Sequence, residues 1–166
     1  GDGYVAALRA TYPDIPDAAD LVMYWWHKAA IEVAEGRTIR AGLITTKAIT
    51  HATNRAIVAA AAKRGARVAW AIPDHYWNDG IDDARVRVAM TVLAREPAEA
   101  TLVEVDGEAN VVAVRRAPSL NFDLSIHADV AGAAGQPLLA SKGVSSLGFL
   151  LAGAGFQLAE DEALRL

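Results

Sequence analysis

The run AGLITTKAITHATNRAIVAAAAKRGARVAWAI, from Ala41 to Ile72, decides the fold. Its first part, Ala41-Gly42-Leu43-Ile44-Thr45-Thr46, is short, apolar and partly β-branched, which is the pattern of a buried strand. An alanine-rich stretch from about Ala48 to Arg64 follows, ending at Gly65 where a helix would stop. Ala66 to Ile72 then reads as a second strand. Strand, helix and strand at this spacing make a βαβ unit, whose crossover should be right-handed and whose two strands should be parallel.

Working outward, an upstream helix is expected from just after Pro16-Asp17 to about Glu35, with Gly36 as its left-handed terminator. Leu21, Val22, Trp25, Trp26, Ala29, Ala30 and Val33 leave only a narrow polar stripe through Asp20, His27, Lys28, Glu32 and Glu35, so this helix should be mostly buried. Downstream, Pro73 should end the second strand, because Asp74-His75-Tyr76-Trp77-Asn78-Asp79-Gly80 is rich in turn formers. The next strand, Arg85 to about Leu93, follows too closely for another crossover helix. It should return antiparallel and close the sheet edge. Thr101–Val105 and Asn110–Val114 read as a hairpin turning through Asp106-Gly107. Leu120–Ile126 suits a strand, and Ala131 to Gly155 is rich in glycine and alanine with little helical period. A boundary near Arg116–Pro118 divides the chain into residues 1–116 and 117–166. The expected class is therefore α/β, with a β-rich, glycine-containing segment after the sheet.

The 166 residues suit one domain or one domain with part of another. Hydrophobic residues make up 53%, enough for a core. With no cysteine, a disulfide framework, a thiolate metal site and a cysteine nucleophile are all excluded, and a cytoplasmic location is expected. Gly143 to Ala159 is uncharged for 17 residues but holds four glycines, two serines and a glutamine, so no membrane-spanning helix is expected there. A net charge of −4 argues against a surface that grips nucleic acid everywhere, and leaves room for a local basic groove. Gly1-Asp2-Gly3 opens without methionine and Leu166 closes just after a helix-starting Glu160-Asp161-Glu162, so a piece of a longer protein is expected.

Ligands of open, mainly parallel sheets bind beyond the carboxyl ends of the strands. Two segments leave strands there: Thr45-Thr46-Lys47, and Pro73 to Asn78. Three consecutive rings, His75, Tyr76 and Trp77, could stack on a flat substrate such as a nucleobase. A plain packing role for Trp77, capping the core beneath the hairpin, competes with that. His27, His51, His75 and His127 include no pair at ligand spacing, so no metal is expected. No serine sits in a nucleophile turn. Gly153-Ala154-Gly155-Phe156 reads as a turn.

Whole segments are similar to bacterial adenine-specific DNA methyltransferases, those of the large restriction–modification and phage-defence systems above all. These segments are Asp17 to Ala29, Gly42 to Thr50, the Tyr76-Trp77-Asn78 turn with its returning strand, Ala128 to Ala133, Ser145 to Gly148, and Gly153 to Phe156. The similarity runs in order along essentially the whole chain. It implies the C-terminal half of a seven-stranded, Rossmann-like methyltransferase core with a central antiparallel strand. The implied reaction moves a methyl group from S-adenosylmethionine to the exocyclic amine of an adenine flipped out of double-stranded DNA.

That family's Asn-Pro-Pro-aromatic motif and its glycine-rich cofactor loop are both missing here and would precede Gly1. The resemblance therefore implies no catalytic residue in this stretch, which alone would be inactive and would need the preceding half of the enzyme as partner. It points to Trp77, with Tyr76 and His75 as alternates, for stacking on the base. Thr46, Lys47 and Arg55 become candidates for contacts near the base or the DNA backbone, or else an ordinary polar face. Asp20 falls in a segment near the cofactor, or supports a helix N-terminus. Residues 117–166 look like the entry to a target-recognition part. A non-catalytic α/β module binding nucleic acid or protein, and a Rossmann-like enzyme acting on a small molecule, are the rival readings.

Overall fold

The structure, a computed structural model, describes residues 2–77 and 86–129. Residues 1–128 form one compact unit and residues 129–166 a second, of which only Asp129 is among the described residues. The expected hairpin turn after Trp77, the glycine- and alanine-rich stretch, the uncharged run to Ala159 and the helix start at Glu160 lie outside them. In chain order the elements are α1 (Asp2–Thr11), α2 (Val22–Ala34), β1 (Arg40–Thr46), a 3-10 turn (Lys47–Thr50), α3 (Ala52–Lys63), β2 (Ala66–Trp77), β3 (Val86–Arg95), β4 (Ala100–Val105) and β5 (Val111–Ala117).

The five strands form one mixed sheet in the order β1-β3-β2-β4-β5. β1 and β2 are each antiparallel to β3, so they run in the same direction, as the βαβ pattern requires. They do not touch. The expectation that the returning strand closes the sheet edge is therefore corrected: β3 lies between β1 and β2, as the central antiparallel strand of the resemblance implies. The crossover through α3 leaves a strand-wide gap, and the strand filling it gains hydrogen bonds on both sides. Its inward residues Ala89, Thr91 and Leu93 are almost completely buried.

β2 corrects a second expectation. It runs through Pro73 to Trp77, so His75, Tyr76 and Trp77 are strand residues. Proline lacks a ladder donor, and the pairing with β3 shifts between Ile72 and His75, absorbing that loss before regular pairing resumes. On its other side β2 pairs with β4 in parallel, and β4 and β5 form the expected hairpin. Asp106 holds its turn by accepting from the backbone N–H groups of Glu108 and Asn110, both at 2.9 Å. Ala109, not Gly107, takes the left-handed conformation there, with φ +65°.

The helices show where local pattern and packing part. α1 has no counterpart among the elements expected from the sequence; Leu8 on it and Tyr12 just beyond its end pack against the core. α2 begins at Val22, later than expected, and the Asp20 N–H ahead of it donates to Asn54 Oδ1 at 3.1 Å. Its end is as expected. Gly36 has φ +74°, and its N–H reaches the Val33 carbonyl while that of Arg37 reaches Glu32, which is a Schellman termination. The helix expected from Ala48 is broken at His51, whose backbone is extended. Asn54 Nδ2 donates to the Ala48 carbonyl at 2.9 Å, satisfying an acceptor that a continuous helix would have used. Leu120–Ile126 is not a strand: Leu124 has φ +64° and packs fully buried, and Asn121, Asp123 and Ser125 take up the backbone hydrogen bonds.

Met23, Trp26, Ala30 and Val33 recur at helical spacing and form the buried stripe of α2. Leu21 and Trp25, expected inside, are more than half exposed, and His27, expected on the polar stripe, is buried. Trp26 is the largest fully buried side chain, and its Nε1–H donates to Thr91 Oγ1 on β3 at 3.1 Å. This bond ties the helix layer to the central strand. Thr91→Val keeps the branched shape and orphans the buried indole N–H, which should cost about 1–3 kcal/mol in urea unfolding.

His27 lies edge-on to Tyr12 with ring centroids 6.2 Å apart. Burial, helped by the Arg64 charge and opposed by Asp14, pushes its pKa below the ordinary 6.5. The folded state therefore favours neutral His27. As pH falls below 6.5 the unfolded chain takes up the proton more readily, and stability is lost progressively toward the lower folded value. A melting temperature that falls between about pH 7 and about pH 5.5, by less in His27→Gln, is the expected outcome.

Candidate functional site

Because β1 and β2 run together and β3 runs against them, the carboxyl ends of two strands and the amino end of the third meet at one sheet edge. Thr46 and His75 both stand opposite Val88, and Arg87 opposite Tyr76. Four side chains converge here. The Asp74 carboxylate accepts from Lys47 Nζ at 2.5 Å. It also takes the Arg87 fork, with Nε on Oδ1 and Nη2 on Oδ2, each at 2.5 Å. Arg87 Nη1 donates to the Tyr76 hydroxyl at 2.8 Å, and its guanidinium carbon lies 4.4 Å from the Tyr76 ring centroid.

Sequence reading found Lys47 and Tyr76 but missed Asp74 and Arg87. Asp74 stood among residues read as a turn, and Arg87 sat in a strand where a charge at a half-exposed end attracts no notice. Register was the missing signal, since only pairing across β3 brings residues 47, 74 and 87 together. Burial by itself would raise the Asp74 pKa, but the hydrogen bonds and charges of Arg87 and Lys47 outweigh it and hold the carboxyl below its ordinary value. Ionised and paired, Asp74 is an organiser of cations and a poor proton acceptor near neutral pH.

The three rings do not form one platform. Successive strand residues face opposite ways, so Tyr76 lies with Arg87, while His75 and Trp77 share the other face. One face of the Tyr76 ring is covered by Arg87. Trp77 is 46% exposed at the strand end. His75 has a buried Nδ1 with no hydrogen-bond partner. Thr46 Oγ1 donates to Asp20 Oδ2 at 3.0 Å, so Asp20 is tied to the end of β1 and does not cap α2, whose N-cap is Leu21. Arg55, in the first turn of α3, is half-buried and joins none of these contacts.

Among the described residues no group of three or more His, Asp or Glu could hold a metal ion, and no helix is long and apolar enough to cross a membrane. Among the described residues the glycines with positive φ are Gly36 and Gly65, both helix terminators.

This sheet is also found in a restriction–modification enzyme. The solved structure of the Type IIL restriction–modification enzyme MmeI in complex with DNA is similar to this chain with a TM-score of 0.66 and 21% identity. The match covers 78% of this chain and 18% of that one, so this chain spans less than a fifth of MmeI. At that identity the likeness is one of fold, a mixed α/β sheet with a central antiparallel strand. No protein-family model and no curated protein matches the chain.

Asp74 joins the ends of three strands through ion pairs that are part-exposed. Asp74→Asn should lower stability near neutral pH by about 1 kcal/mol. Because the folded pKa is depressed, the Asp74 contribution is present above the ordinary 3.8 and is lost as pH falls through the folded value. The gap between wild type and variant in urea unfolding should therefore close in acid.

Proposed function

We propose that this chain is part of a DNA methyltransferase of the restriction–modification type, acting on adenine. It would form one wall of the pocket that receives a base flipped out of duplex DNA. The observation that carries this reading is the half-exposed Trp77 at the carboxyl end of β2, at the sheet edge that bears the Lys47–Asp74–Arg87 cluster on its other face. The sheet that bears them shares its fold with an enzyme solved on DNA. An indole left open to solvent at the end of a strand suits a stacked base better than it suits core packing.

When bound, S-adenosylmethionine supplies the methyl group, and it would be held by the part of the enzyme preceding this chain. The residues present here bind and orient. Trp77 stacks on the extruded adenine, with His75 beside it on the same face of β2. Thr46, Lys47 and Arg55 lie on or just beyond the segments leaving β1, where a DNA strand would approach. Residues following β5, from 117 onward, would lead into the part that reads the DNA sequence.

In the full-length protein, Trp77→Ala should slow single-turnover methylation of duplex DNA by roughly 5- to 150-fold, equivalent to about 1–3 kcal/mol of lost stacking. Its thermal unfolding should stay close to that of wild type, because the indole is half in solvent. Near-normal methylation by this variant would remove Trp77 from the pocket. A full-length protein that transfers no methyl group to DNA would overturn the reading altogether.

A further inference from the structure

The geometry points to Arg87 and Lys47 as a two-cation grip on a single DNA backbone phosphate, with Asp74 and Tyr76 holding Arg87 in place. This rests on the DNA reading above and adds to it a residue, Arg87, and a stoichiometry. Lys47 Nζ and Arg87 Nη2 both lie 2.5 Å from Asp74 Oδ2, so the two nitrogens are within about 5 Å of each other. That separation lets the two non-bridging oxygens of one phosphate accept from both cations.

Donors remain for such a ligand. Arg87 carries five N–H groups, of which Asp74 and Tyr76 engage three, and the Lys47 ammonium keeps two beyond the one given to Asp74. Both side chains are more than 40% exposed, whereas Asp74 is 25% exposed, so the cations are the more accessible part of the cluster. Two positive charges against one negative leave a net positive site. Packing of Arg87 on the Tyr76 ring and its paired contact with Asp74 restrict the guanidinium before any ligand arrives, which lowers the entropy lost on binding. Trp77 follows Tyr76 directly, so the proposed stacking ring and this cation pair lie at the same end of the sheet, on opposite faces.

The test is the salt dependence of duplex DNA binding by the full-length protein. Each phosphate neutralised contributes about 0.9 to the slope of log affinity against log salt. The double variant Lys47→Gln, Arg87→Gln should flatten the slope by about 0.9 in total, because the two cations serve one phosphate. Arg87→Lys should keep the wild-type slope, and Lys63→Gln, at the far end of α3, should leave it unchanged. Thermal unfolding of each variant checks that the fold persists, and Arg87→Lys keeps the test valid if the double variant unfolds.

A double variant with the wild-type slope overturns the proposal, as does a loss of about 1.8, which would mean two separate phosphates. So does an Arg87→Lys variant that is as flat as the double variant. In all three cases the methyltransferase reading can survive. Wild-type protein that binds duplex DNA without any salt dependence would sink both.

Discussion

β3 is hydrogen-bonded along its length to β1 on one side and β2 on the other, and the functional edge exists because of that insertion. A strand pairing outside β2 would leave Lys47 and Asp74 on strands that meet nothing in common. With β3 between them, antiparallel to both, its first residues arrive where β1 and β2 end. The thirteen residues of α2 then hold the sheet from one face, through a stripe that includes the Trp26 indole and its bond to Thr91. A polar bond in an otherwise apolar contact specifies register, because sliding the helix by one turn would orphan both the indole N–H and the hydroxyl.

The same edge separates two kinds of chemistry by strand alternation. On one face Arg87 lies against Tyr76 and Asp74, a charged and braced arrangement. On the other, Trp77 stands open beside His75. Alternation thus sorts neighbouring residues of one strand into an electrostatic face and a stacking face at one end of the sheet. The Asp74 carboxylate is what keeps two like charges close together. Without it, Lys47 and Arg87 would repel at about 5 Å, and neither side chain would be held.

Much of the fold was legible from local chemistry. The apolar runs around Leu43 and Val68 gave their strands. Gly36 and Gly65 marked helix ends because both need a positive φ, and the short connection after Trp77 required an antiparallel return. The edge carrying the candidate site followed from the general geometry of such sheets, so Lys47, Tyr76 and Trp77 could be named from the sequence. Two of the misses share one cause: the deciding partner was distant in sequence. Pro73 reads as a strand terminator until the shifted pairing with β3 makes room for it. His27 reads as polar surface until the Tyr12 ring packs edge-on against it.

By itself, the order of residues determined which segments would be helix and strand, where most of them stop, and that β1 and β2 share a direction. These depend on period, capping and backbone freedom within a few residues. Only the tertiary structure decided that β3 lies between them and that Asp74 would gather Lys47 and Arg87, because strand order and register come from hydrogen bonds between residues separated by tens of positions. A period-two pattern shows which face a residue takes, while its neighbour across the sheet depends on which strand arrives there.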